Sequence, residues 1–177
     1  MQDKSRGLNR TRLLIAGFAL LLVAMPASAA LNAYMTVTGE AQGGILGDPT
    51  DAGHAGEIEI HEMHHLFRAE GAATAHEALI LTTRMNLATP KLLTALDTNE
   101  LLTVTINYWR PDPATGSEVM YYQMVLTGAR LVASEPIMAD NKNPDFAGYE
   151  IRTRLRLTYG SIKHVYVPSG DEATLTP

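Results

Sequence analysis

The sequence predicts a mainly β fold, a small antiparallel barrel or sandwich of about eight strands carrying one short helix. Three observations lead there. Apolar residues alternate with polar ones through Leu101–Arg110, Val119–Thr127 and Ile151–Tyr159, the period-two pattern of half-buried strands. Gly, Pro and Asp clusters separate these runs at short intervals, as hairpins require. Only one stretch, Thr89–Leu96, carries helix signals.

The first segment stands apart from that fold. Lys4, Arg6, Arg10 and Arg12 form a positive head, Leu13–Ala24 is apolar, and Ala27-Ser28-Ala29 is a small-x-small site. This is the pattern of a secretory signal peptide, with an apolar run too short for an ordinary membrane span. The expected organisation is a signal over 1–29, a β-barrel domain over 30–167 and a flexible tail over 168–177.

Cleavage after Ala29 leaves 148 of the 177 residues and removes four of the 14 basic and one of the 19 acidic side chains, for a net charge of −8. A chain of that size buries roughly 70% of its unfolded surface, enough for one core. The acidic balance argues against nucleic acid or an anionic membrane as partner. The sequence has no cysteine. Thiol catalysis and cysteine-ligated metals are therefore excluded, and stability must come from the core or from self-association.

The mature chain begins with Ala33–Thr38, a short strand. Gly39–Gly56 contains Gly43, Gly44, Gly47 and Gly53 between its ends, with Pro49 and three acidic residues, and reads as a long surface loop. It lacks the Gly-Lys-Ser/Thr ending of a phosphate-binding loop. Glu57–Phe67 reads as a strand because Ile58 and Ile60 alternate with Glu57 and Glu59. His76–Asn86, rich in β-formers, is another. In Thr89–Leu96, Thr89 is the expected N-cap and Pro90 suits the first turn. Leu92, Leu93 and Leu96 then face the core.

Leu101–Arg110 and Val119–Thr127 form a hairpin. Leu102, Val104, Ile106 and Tyr108 point inward on the first strand, and Tyr122, Met124 and Leu126 on the second. Ala129–Ser134 is a further short strand, and Glu135–Gly148 is a second long loop. Ile151, Leu155, Leu157 and Tyr159 alternate with Arg152, Arg154 and Arg156, and Ile162–Val167 closes the fold.

The chemistry-bearing string is His61-Glu62-Met63-His64-His65, which fits the H-E-x-x-H zinc-protease pattern. That pattern needs a helix, where the two histidines lie one turn apart. On a strand, His61 and His65 share a face but sit about 13 Å apart, too far for one zinc. The other histidines are His54, His76 and His164, and none supplies a recognisable third ligand. No G-x-S-x-G element occurs. The expected site list is therefore empty: no catalytic residue, no cofactor and no metal. Arg152, Arg154 and Arg156 are expected to pair with acidic residues of the same sheet.

Five stretches, in order, resemble one family. They are AYMTVTG at Ala33–Gly39, DAGHAGEIEI at Asp51–Ile60 and ATPKLLTAL at Ala88–Leu96. YYQMVLTGARLVAS at Tyr121–Ser134 and LRLTYGSIKHVY at Leu155–Tyr166 complete the set. Together they resemble the haemolysin-coregulated protein (Hcp) family, the tube protein of type VI secretion, over Ala33 to about Val167. The resemblance implies a small β-barrel with one helix, assembled into hexameric rings that stack into a tube. A contractile sheath propels the tube, which can carry effectors in its lumen, and the family has no catalytic residues to transfer. The departure is the signal: tube subunits resemble cytoplasmic proteins that leave through the machine itself. The expectation is an exported, structural, self-assembling relative. An exported β-barrel binding module is the alternative reading, and a zinc hydrolase using His61, Glu62 and His65 the third.

Overall fold

The computed structural model describes residues 31–177. The expected signal over 1–29 lies outside the described residues. Eleven strands form among them: β1 Asn32–Gly39, β2 Gly43–Ile45, β3 Ile58–His64, β4 Phe67–Glu70, β5 Ala73–His76, β6 Leu79–Arg84, β7 Leu102–Pro111, β8 Glu118–Ile137, β9 Arg152–Thr158, β10 Ser161–Tyr166 and β11 Asp171–Leu175. The helix α1 spans Thr89–Asp97. The β-rich class with one helix is as the periodicity implies, with more strands than the alternation revealed.

The barrel closes through one strand. β8 pairs with β7 over its first half and with β9 over its second. β7 pairs with β1, β1 with β3, β3 with β6 and β6 with β9. The circuit β8-β7-β1-β3-β6-β9 thus returns to its start, and every pairing is antiparallel. At 20 residues, β8 merges the expected strands at Val119–Thr127 and Ala129–Ser134. It changes partners where Gly128 sits at φ +61, a conformation that costs other residues a Cβ clash.

The core fills the barrel. Met35 and Val37 of β1, Ile58 of β3, Leu79 and Leu81 of β6, Val104 and Ile106 of β7, Leu126 of β8 and Leu155 and Leu157 of β9 are all buried. The inward sets expected for β7 and β9 are largely those observed, because a two-sided strand must turn alternate residues to the core. Ile151 is an exception: it precedes β9 and is exposed, and Thr153 takes the buried position.

Several local expectations are corrected. The expected loop 39–56 contains β2 and a 3-10 turn at Ala52–His54, and the 135–148 loop begins only after β8 ends at Ile137. His76–Asn86 divides between β5 and β6. Thr89 is not the N-cap: Ala88 occupies that position without a side-chain bond. The Thr89 hydroxyl instead accepts from the Asn86 amide at 3.0 Å, and Asn86 Oδ1 accepts from the Ala88 amide at 2.9 Å. Leu92 is buried, but Leu93 is exposed. Asn99, at φ 51, follows the helix, where a left-handed residue commonly ends one.

The expected flexible tail is ordered. β11 runs antiparallel to β10, with Leu175 opposite Ile162 and Asp171 opposite Tyr166. Leu175 packs on the core. The hairpin turns at Gly170, φ +74.

Candidate functional site

The H-E-x-x-H string lies on a strand. β3 carries it through His64, so the helical zinc geometry is not formed. Its side chains are nevertheless arranged differently from simple alternation. The register between β3 and β6 shifts between Ile60 and Glu62, leaving His61 as the extra residue of a bulge. A bulge reverses which residues face inward beyond it. Ile58 and Ile60 are buried, His61 is exposed, and Met63 and His65 turn partly inward. His61 and His65 therefore do not share a face, a correction to the expected geometry that separates the two candidate ligands still further in role. Glu62 faces outward and pairs with Arg152 at 3.5 Å.

Two of the three arginines of the stripe find acidic partners within their own chain, and Arg156 makes no ion pair among the described residues. Arg152 meets Glu62, and Arg154 meets Glu135 at 3.2 Å. These pairs are exposed, and exposed pairs contribute roughly 0–1 kcal/mol.

His54 is the histidine for which the chain builds a dedicated setting. It is 7% exposed. Nδ1 lies 2.6 Å from Glu57 Oε2, and Nε2 lies 3.1 Å from Glu118 Oε2. Its ring stacks on Tyr34 at 3.7 Å and meets the edge of Trp109 at 4.9 Å. The Asp51 side chain accepts from the Gly53 amide and starts the 3-10 turn that delivers His54. Burial disfavours the charged ring, but hydrogen bonds to Glu118 and Glu57 outweigh it and hold the His54 pKa above its ordinary value. Among the described residues, Asp51, His54 and Glu118 are the set that approaches metal-ligand spacing. Both ring nitrogens of His54 already meet carboxylates, so His54, Glu57 and Glu118 form a clasp fastening the 45–57 loop to the start of β8.

A second histidine group joins the β4–β5 hairpin to the barrel. The Tyr159 hydroxyl hydrogen-bonds with His76 Nδ1 at 2.9 Å and with His65 Nε2 at 2.8 Å. The Tyr122 hydroxyl bonds with His164 Nδ1 at 2.9 Å. Phe67 stands among these rings, 4.2 Å from His65, 5.0 Å from His76 and 5.8 Å from His164. Burial holds the pKa values of His65 and His164 below the ordinary histidine value, and for His65 the neighbouring His164 adds to the effect. No local pattern marks this group, since its members lie up to 99 positions apart.

The surface offers an apolar patch. Met85, Tyr149 and Ile151 are exposed together around a hollow also lined by Asp48, Arg84 and Glu150. Phe146 packs edge-on against Tyr149 at 5.5 Å. Contiguous exposed apolar side chains with a polar rim are the mark of a protein contact surface.

Comparison with known proteins now bears on this arrangement. The sequence model of the family described as type VI secretion system effector, Hcp, matches residues 34–166. The "Major exported protein" of Pseudomonas aeruginosa is 27% identical over 158 residues, spanning 80% of this chain and 92% of its own length. The structure titled "Secreted protein Hcp3 from Pseudomonas aeruginosa" superposes with a TM-score of 0.72 at 25% identity, over 83% of this chain and 98% of that one. A crystal structure of an Hcp protein gives a TM-score of 0.76 at 19% identity, over 83% and 98% of the two chains, a likeness of fold. With the family match running across the closed barrel, its helix and β10, the chain belongs to the Hcp family of type VI secretion system effectors.

Proposed function

We propose that this chain is an exported structural subunit whose mature form closes into a hexameric ring, able to stack as a tube and to carry effector cargo. Family membership supports the assembly, and the observation on this chain that carries it is the exposed Met85, Tyr149 and Ile151 patch. A head-to-tail contact between identical subunits either closes or runs on as a filament. The outer edges at β2 and β11 add unpaired backbone groups, which favour strand-to-strand contact. Its partners are other copies of itself, with secretion-machine spike or sheath proteins or effector cargo; neither nucleic acid nor membrane is a partner of the mature chain. The role is not enzymatic, and His61 and His65 hold no zinc.

Residues 1–29 act as a cleaved signal in this reading, and the named relatives, one "exported" and one "secreted", accord with export. The second reading is an exported binding module, favoured by the aromatic cleft considered below. Light scattering coupled to size exclusion, on protein whose intact mass shows Ala30 as first residue, tests the proposal. The expected result is six copies per particle at low salt, with stacking that increases as salt screens the −8 charge of each subunit. A monomer at every concentration refutes the ring and leaves the binding module.

A further inference from the structure

Between the end of β3 with the start of β4, and the facing strands β7, β8 and β10, lies a cleft of about 350 Å³. Phe67, Tyr108, Tyr121 and Tyr122 supply aromatic walls, and Met63 and Met124 supply thioethers. His65 and His164 complete the lining. Among the described residues no carboxylate, ammonium or guanidinium lines it.

Two features show a site with unmet bonding capacity. Each histidine has one ring nitrogen engaged by a tyrosine hydroxyl. His164 Nε2 is buried and has no protein partner, whereas the His65 ring also reaches the backbone of Glu77. The aromatic walls are also set at steep angles to one another. Tyr108 meets Tyr122 at 75° and Tyr121 at 63°, and Tyr122 meets His164 at 62°. Rings so arranged present both faces and edges, the geometry in which a further ring packs favourably. Thioethers add favourable contact with an aromatic edge. The Tyr108 hydroxyl donates its hydrogen to Met63 Sδ or Met124 Sδ, at 2.8 and 3.1 Å, so the Tyr121 hydroxyl and His164 Nε2 are the polar groups left to bind.

We propose that this cleft binds a neutral planar aromatic molecule bearing an N–H or O–H group, of about the size of indole. A cation would find no counter-charge in the lining, and an anion would find none either. The volume falls within the roughly 300–1,000 Å³ of small-molecule sites. The imidazoles accept or donate according to tautomer, and burial lowers the pKa values of both rings, which favours their neutral form. The charged and titratable neighbours lie outside the lining: Arg110 against Tyr121 at 5.1 Å, His76 beyond Tyr159, and Lys163 paired with Glu172 at 2.6 Å.

The test is titration of the mature protein with indole, followed by NMR of the protein and by calorimetry. Expected are saturable binding at or below about 1 mM, shifts centred on the Tyr122 and His164 rings, and little binding of benzoate or benzylammonium. Met63→Trp, which fills the cleft, should abolish binding. His164→Gln should weaken it about fivefold or more, while exposed, distant Leu87→Ser should not change it. Lowering the pH through the histidine range should weaken it as the rings become charged. Thermal unfolding establishes that each variant is folded. Absence of saturable indole binding to the unaltered protein overturns the proposal. Equal binding by the folded Met63→Trp and His164→Gln variants overturns it as well. Both readouts are independent of ring formation.

Discussion

Replacing His54 by Phe isolates the charge of the clasp from its shape. Phe keeps a ring that can stack on Tyr34 at 3.7 Å and meet Trp109, so the loss is confined to the two nitrogen contacts. The Nδ1 contact to Glu57 is buried on both sides, with side-chain exposures of 6% and 18%, and a hydrogen bond to a charged group of that kind contributes about 1.5–3 kcal/mol. The Nε2 contact reaches Glu118, whose side chain is 35% exposed, and solvent screening reduces it to about 0.2–1 kcal/mol. His54→Phe should therefore cost about 2–4 kcal/mol near pH 6, read by urea unfolding. The pH dependence gives the sharper test. The folded His54 pKa is raised, so its charge stabilises the fold fully below the unfolded value of about 6.5 and loses that effect as pH rises through the folded pKa. The difference between the unaltered and variant proteins should shrink from pH 6 to pH 9. A difference below about 0.5 kcal/mol at pH 6, or one that does not change with pH, refutes the charged clasp.

Two further outcomes follow from local geometry. Gly47→Ala would place a Cβ 2.3 Å from the Glu57 carbonyl oxygen and 2.9 Å from Ile58 Cγ1. Backbone cannot yield to a methyl group cheaply, so unfolding should show a loss of about 1–3 kcal/mol, with the His54 loop most affected in hydrogen exchange. Deleting residues 168–177 removes β11 and the contact of Leu175 with the core. It should lower the urea midpoint by the equivalent of about 1–2 kcal/mol and, by baring the β10 edge, raise aggregation; an unchanged midpoint would return the tail to a dispensable role.

Much of the barrel was legible in the residues themselves. Leu102, Val104 and Ile106 of β7 and Leu155 and Leu157 of β9 are buried as alternation implies, because a strand with one wet face leaves its period in the sequence. Pro90 and the leucines marked α1 for the same local reason. Local pattern fails where partners are distant or the ladder is irregular. The bulge at His61 inserts one residue without any compositional sign and reverses the facing of Met63 and His65. β11 has no apolar alternation because its residues up to Leu175 are exposed, and backbone pairing with β10 suffices to order it. The closure of the barrel by a single long β8, the meeting of His54 with Glu118 across 64 positions and the bridging of His65 and His76 by Tyr159 all arise from strand register. Sequence alone determined the class, the helix and most inward faces. Tertiary structure decided which distant side chains meet, because those contacts are set by how the barrel closes and not by the neighbours of each residue along the chain.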